Sequence, residues 1–342
     1  LALRRYRSIT AATDAVESYL NKAVLGDGRA GVRMALDLID RGVPSSDVIS
    51  SFLASAQQQV GERWLANQWT VADEHLVSGV SQKALDAVAN TIEPPAATGF
   101  VVVTCAEGDW HSLPSQMFAE MLRARGFDVA FLGASMPVDH VAALLSRQRP
   151  DAVAVSCNLA IFFGGVTRLV DAAHRLNIPV IVGGRALGRG PERASRLGAD
   201  GWAAGIDAAV DTLRGWQQHP PDISAEPTSF DALAIQLDGS AAAVADEAFE
   251  SLRAGYPAMA SFNHNQLART REDLAYITQF VAAAKMVADP TVLSEMLVWL
   301  RALLANRGVP STAVDAGLKV LAPRIERTDP AAAQLVLDAV QD

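Results

Sequence analysis

The chain is predicted to be α/β followed by all-α: a helical bundle, a parallel sheet with covering helices, then a second helical unit. Three observations predict this. Residues 1–93 carry apolar residues at helix period. Residues 94–217 alternate short β-branched runs with helical patterns, an order that demands a parallel sheet with right-handed crossovers. Residues 229–342 return to helix period and are rich in alanine and leucine.

The first region reads as four amphipathic helices, with breaks at Gly26-Asp27-Gly28, Gly42-Val43-Pro44 and Asn67 to Thr70. Strands are expected at 99–105, 128–132, 152–157, 179–183 and 201–203. Residues 218–228 are polar and proline-bearing, a linker by composition. Beyond it, helix breaks are expected at Gly239, Gly255-Tyr256-Pro257, Asp289-Pro290, Gly308-Val309-Pro310 and Asp329-Pro330. Leu274, Ile277, Val281 and Ala284 form one apolar stripe, which by pattern alone describes an interaction or dimerisation bundle.

At 342 residues, half of them hydrophobic, the chain can bury two or three cores. No apolar run reaches the roughly eighteen residues of a membrane span, and no signal-peptide pattern is present, so a soluble, cytoplasmic protein without a membrane partner is expected. Cys105 and Cys157 fall on expected strands, with neither disulfide nor zinc spacing. A net charge of −9 argues against nucleic acid as a direct partner.

Glu107-Gly-Asp-Trp-His111 closes the first strand run, and a helical pattern follows from Ser112. A histidine at that edge of a parallel sheet suits axial ligation of a cofactor metal, with Asp109 holding its other ring nitrogen. Alone, it reads rather as an exposed loop histidine. Upstream, Trp64 precedes Glu74-His75 by nine intervening residues, a spacing that suits a lid made of one flat aromatic and two polar groups. Downstream, Pro179-Val-Ile-Val-Gly-Gly184 ends a buried strand in paired glycines, where a ligand tail can approach the backbone.

These residues resemble the cobalamin-binding module of the light-responsive B12 repressors and the related corrinoid methyltransferase proteins. In that family a four-helix bundle with W-x9-E-H caps a Rossmann-like domain with D-x-H-x-x-G, S-x-L and G-G; the resemblance spans roughly residues 8 to 217. It implies that His111 is the lower axial ligand of cobalt, with Asp109 its partner. It also places Trp64, Glu74 and His75 over the upper face, and Ser156, Gly183 and Gly184 around the nucleotide tail, with Ser112 beside His111 a further cofactor-binding candidate. This chain departs from the family at Pro114 and Asn158, where the family has glycine and leucine. Pro114 fits the first turn of a helix capped by Ser112. The light-responsive members carry a histidine after the lid tryptophan, where this chain has Leu65, which puts a light-formed bis-histidine state in doubt. Those repressors also place a helix-turn-helix domain before the bundle; here only the basic Arg4-Arg5-Tyr6-Arg7 precedes it, so output through another surface or another protein is expected.

Arg271 to Pro290 and Leu297 to Pro310 resemble the central part of a phycobiliprotein over about fifty residues. The resemblance implies a globin-like helical domain holding an open-chain tetrapyrrole, with Asp273 at the aspartate that meets the pyrrole nitrogens. That carboxylate can accept from two N–H groups; equally, it suits a helix first turn. Thr270 stands at the chromophore cysteine, so biliverdin bound without a thioether is implied. His264, Asn265, Tyr276 and Trp299 are candidate ring contacts, Trp299 being equally a core residue.

The combination resembles the photocobilins, photoreceptors using both chromophores. The expected function is light sensing by adenosylcobalamin and biliverdin rather than catalysis, in a homo-oligomer that signals to another protein. The alternative is a corrinoid carrier for methyl transfer. A plain scaffold leaves both constellations without purpose.

Overall fold

A computed structural model describes residues 15–224, 226 and 228–341, so the basic Arg4–Arg7 cluster lies outside the described residues. The cap begins with α1, over residues 15–23. It continues through α2 (Gly28–Asp40), α3 (Ser45–Asp47), a π-helical stretch (Val48–Leu53), α4 (Ala54–Leu65) and α5 (Val71–Ala89). From Ser45 to Leu65 the helix is continuous, the π stretch widening one turn inside it. The amphipathic faces of these rods close on Tyr19, Leu20, Ile49, Phe52, Leu53, Val77 and Leu85, all without solvent exposure. The Tyr19 hydroxyl meets Ser81 Oγ at 2.9 Å, satisfying the one polar atom that this ring buries. At the start of α5, Thr70 and Asp73 cap each other's backbone amides, which ends the 66–69 turn sharply.

The sheet comprises β1 (Phe100–Cys105), β2 (Asp128–Phe131), β3 (Ala152–Ser156), β4 (Val180–Gly183) and β5 (Gly201–Trp202), each within a run expected from the sequence. All pairings are parallel, in the order β2-β1-β3-β4-β5. Val102, Val153, Val155, Val180 and Val182 meet α7 (Val138–Gln148) and α8 (Phe163–His174). Val101, Val103, Ala152, Ala154 and Ile181 meet α6 (Ser112–Ala124) and α10 (Ile206–Gln218). Side chains alternate faces along a strand, so strands covered on both sides carry continuous apolar runs, as Phe100–Val103, Ala152–Val155 and Val180–Val182 do. This is a Rossmann-like, doubly wound sheet, and its order reverses between β1 and β3. The cap rests on α6, where Gln82 Nε2 donates to Gln116 Oε1 at 2.7 Å and Met117 enters the cap core.

The short α9 (Glu192–Arg196) follows β4, and from Ala232 the described residues form helices joined by short turns. The helices are α11 (Ala232–Gly255), α12 (His264–Met286), α13 (Thr291–Ala305), α14 (Thr312–Ile325) and α15 (Pro330–Gln341). The break expected at Gly239 does not occur. It sits inside α11 with open space around it, and the helix formers on both sides outweigh one glycine, which costs about 1 kcal/mol. The stripe Leu274, Ile277, Val281 and Ala284 is buried on α12, within a core that runs unbroken into the α8 face of the sheet. It therefore faces the chain's own interior. Among the described residues, no helix is long and apolar enough to cross a membrane.

Candidate functional site

Parallel strands gather their C-terminal ends at one sheet edge, and a crevice opens where the strand order reverses. At that point the loops after β1 and β3 are joined by Asp109, which is fully buried. Its Oδ1 accepts from the His111 backbone amide at 3.0 Å and lies 2.7 Å from His111 Nδ1. Its Oδ2 accepts from the Asn158 amide at 2.7 Å. Burial pushes the Asp109 pKa up, but the bonds from His111 and Asn158 outweigh it and hold the carboxyl below its ordinary value. The Asp109 hydrogen bond raises the His111 pKa against burial, with the charges of Asp109 and Glu74 adding to it. With Nδ1–H given to the carboxylate, the imidazole keeps Nε2 free, on a side chain 57% exposed.

The loop itself is tightly specified. Gly108 has φ +93°, and a Cβ there would lie 2.7 Å from the Phe162 ring. Its amide donates to Ser135 Oγ at 3.1 Å, which ties the loop after β2 to the same point. His111 occupies the cap position of α6, and Ser112 is the first helical residue, so the expected Ser112 cap is corrected by one position. Pro114 accordingly sits within the first turn, where its missing N–H costs nothing.

Register brings the downstream residues together: Cys105 pairs with Ser156, and Ser156 with Gly183. Gly184, with φ +104°, lies so close to the β3 loop that a Cβ would stand 2.3 Å from the Cys157 carbonyl oxygen. Only glycine fits. Above this edge, Glu74 Oε1 accepts from Ser78 Oγ at 2.9 Å, and its Oε2 lies 2.6 Å from His75 Nδ1. Trp64 stands two turns along α4 from Gln57, whose Oε1 accepts from Ser78, so it shares the open end of the cap with Glu74. The Trp64 indole is stacked on Trp299, with ring centroids 6.0 Å apart and planes at 22°.

The C-terminal candidates do not all converge. Asp273 is half-buried on α12, and burial pushes its pKa up to about 6, with Glu272 adding and Arg269 opposing. His264 lies nine residues earlier, two and a half turns away and so on the opposite face of the helix. Tyr276 is half exposed on the Asp273 side, and His264 and Asn265 are exposed at the helix start. Trp299 is committed to Trp64 rather than to a ring pocket of its own domain.

Sequence reasoning missed Ser135 as a clamp, and treated Asn158 only as a departure from a motif. Its amide is what joins the two loops through Asp109. A backbone donor leaves no trace in residue type, so no signal pointed to it.

Residues 99–211 match the B12 binding domain family, and residues 15–89 match a second family described by the same words. The transcriptional repressor CarH of Myxococcus xanthus is 31% identical over 155 residues, covering 44% of this chain and 51% of the repressor. The chain thus spans about half of that relative's length. Trimethylamine corrinoid protein 1 of Methanosarcina mazei is 24% identical over 186 residues, covering 51% of this chain and 83% of that protein. The monomethylamine corrinoid protein of Methanosarcina barkeri superposes with a TM-score of 0.51 at 19% identity, covering 58% of this chain and 96% of the other; it shares the fold. The cap at 15–89 and the sheet domain at 99–211 together form a cobalamin-binding module.

Proposed function

We propose that the protein is a photoreceptor that holds adenosylcobalamin between cap and sheet, with His111 as the lower ligand of cobalt. The observation that carries the ligand assignment is the Asp109–His111 pair, whose free Nε2 projects from the crevice where the strand order reverses. A buried carboxylate fixes the tautomer and orients the ring, which is what an axial imidazole needs. Among the described residues no three His, Cys, Asp or Glu side chains cluster to hold a bare metal ion, so a single protein ligand suits a metal already held by a macrocycle. Ser156 and the Gly183–Gly184 turn would take the nucleotide tail, and Trp64, Glu74 and His75 would cover the upper face. Bound adenosylcobalamin would supply a cobalt–carbon bond that light breaks. The cap side chains would hold the upper group in the dark and shift when it leaves, a two-arrangement interface being the means of passing the change on.

The C-terminal unit is read as a globin-like domain that takes biliverdin without a covalent bond. Asp273 supports this. A half-buried carboxylate costs stability unless something accepts its charge, and pyrrole N–H groups do so. Spectra of the protein mixed separately with adenosylcobalamin and biliverdin test both parts. A light-sensitive base-on spectrum and a red band lost on denaturation are expected. No red band would leave a cobalamin-only protein.

The second reading is a corrinoid carrier for methyl transfer. Leu65 favours it, since the residue after Trp64 offers no imidazole to the upper face. Under that reading His111 and the cap would hold methylcobalamin, which would supply a methyl group for transfer to a substrate presented by a partner enzyme, and light would leave the protein's oligomeric state unchanged.

A further inference from the structure

Besides the shared apolar core, two sets of polar and aromatic contacts join the C-terminal helices to the cobalamin module, one beside the Gly183–Gly184 turn and one at Trp64. At one end of α13, Arg193 of the sheet domain is 6% exposed and fully engaged. Its Nε donates to Asp289 Oδ2 at 2.7 Å, its Nη1 to the Ala186 carbonyl at 2.9 Å, and its Nη2 to Thr291 Oγ1 at 2.9 Å. Ala186 lies two residues past Gly184, on the turn read as the nucleotide-tail slot. At the other end, α13 and the turn after it hold the cap. Trp299 stacks on Trp64, Arg307 lies 5.0 Å above the Trp64 ring, and Asn306 Nδ2 donates to the Leu65 carbonyl at 2.9 Å. Arg307 Nη2 also donates to the Trp64 carbonyl at 3.3 Å.

Thr291, which Arg193 also holds, and Trp299 are eight residues apart, about 12 Å along the helix. One rigid rod therefore spans from the tail turn of the sheet to the lid of the cap. The cap residue it grips is Trp64, and the grip uses an aromatic face, a cation and two backbone acceptors, all at the end of α4. Contacts of this kind fix an indole's orientation as well as its place, because stacking and cation–π attraction both act on the ring face.

We propose that Trp299 and Arg307 are positioning residues for the cobalamin site: α13 sets where the Trp64 indole stands over the upper face. This rests on the reading of Trp64 as the lid residue. The C-terminal unit is thereby part of the site's upper wall. A change in the packing of α13 alters access to the upper face, and movement of Trp64 alters α13.

The test uses the full chain carrying Trp299→Ala, Arg307→Ala or Trp64→Ala, with Trp299→Phe as the conservative variant. In the cofactor-free protein, the far-ultraviolet exciton signal of the stacked indoles should vanish equally in Trp64→Ala and Trp299→Ala. After loading with hydroxocobalamin, all variants should keep the His111-ligated spectrum. Cyanide exchange at the upper face should accelerate about tenfold in Trp64→Ala and Trp299→Ala, less in Arg307→Ala, and return close to the wild-type rate in Trp299→Phe. If Trp64→Ala accelerates exchange and Trp299→Ala does not, the positioning role is overturned while the lid reading stands. If neither accelerates exchange, the lid reading itself fails and the proposal with it. A Trp299→Ala protein that has lost its helical signal is replaced by Trp299→Phe and Arg307→Ala, whose unchanged exchange rates would equally overturn the role.

Discussion

His111 and Asp109 work as one unit, and their substitutions should separate ligation from orientation. His111→Ala removes the imidazole, and a base-off cobalamin spectrum with weaker binding is expected. Asp109→Asn keeps the size but loses the charge-assisted bond to Nδ1 and one acceptor, and affinity should fall about 10- to 100-fold with the base-on spectrum partly kept. Absorbance titration with hydroxocobalamin distinguishes the two; an unchanged base-on spectrum in His111→Ala ends the ligand assignment. Asp273 gives a second prediction with a definite sign. Its folded pKa of about 6 exceeds the ordinary value near 4, so the folded chain binds this proton more tightly than the unfolded chain. The stability so gained is complete below about pH 4 and is lost as pH rises through 6. Asp273→Asn should therefore raise cofactor-free stability at pH 7 by up to about 2–3 kcal/mol, flatten the pH 4–7 slope in urea unfolding, and weaken or shift any biliverdin band. A pH slope equal to wild type would show that Asp273 titrates normally.

Two glycines, one in the turn after β4 and one inside α4, should respond oppositely to alanine. Gly184 has φ +104° and no room, its Cβ position lying 2.3 Å from a backbone oxygen, so Gly184→Ala must displace the β3 or β4 loop. A loss of roughly 2–4 kcal/mol and impaired cobalamin binding are expected. Gly61 is a helical position in α4 with nothing near its missing Cβ, and Gly61→Ala should gain about 0.5–1 kcal/mol. Thermal unfolding of both variants checks the pair. A neutral Gly184→Ala would mean the turn is free to move. The strands were legible because burial on both faces writes unbroken Val-Ile-Ala runs, and helix starts such as Thr70 were legible from capping chemistry. Gly239 misled because one glycine in a helix of 24 residues is outvoted by its neighbours.

Across all the described residues, the two ends of the chain behave as one body rather than as beads on a linker. The apolar core passes from β3 and α8 into α11 and α12 as one cluster, and Arg193 bridges the same boundary. Protease cleavage in the exposed stretch near residues 219–224 should accordingly leave two fragments that co-elute in gel filtration, since apolar burial holds them at no entropic cost to the linker itself. Separation of the fragments at low salt would contradict a shared core. Arg193→Ala removes a buried cation and leaves Asp289 and the Ala186 carbonyl without it; a loss of about 3–5 kcal/mol is expected, visible as a lower unfolding midpoint.

Residue pattern and motif were enough to state where the strands fall, that the sheet is parallel, and that Asp109, His111, Ser156 and Gly183 belong to one edge. Strand positions and parallel pairing follow from periodicity and local spacing, which a linear chain carries openly, whereas Ser156 joined the site through the resemblance to the cobalamin-binding family. Tertiary structure alone decided that the Asn158 amide joins the two loops through Asp109, that the stripe on α12 faces inward, and that Trp299 stacks on Trp64, 235 positions before it in the chain. The physical reason is the same in each case. These contacts are made by backbone groups, or by side chains brought together only when several helices dock, and neither a backbone donor nor a docking partner has a signature in residue type.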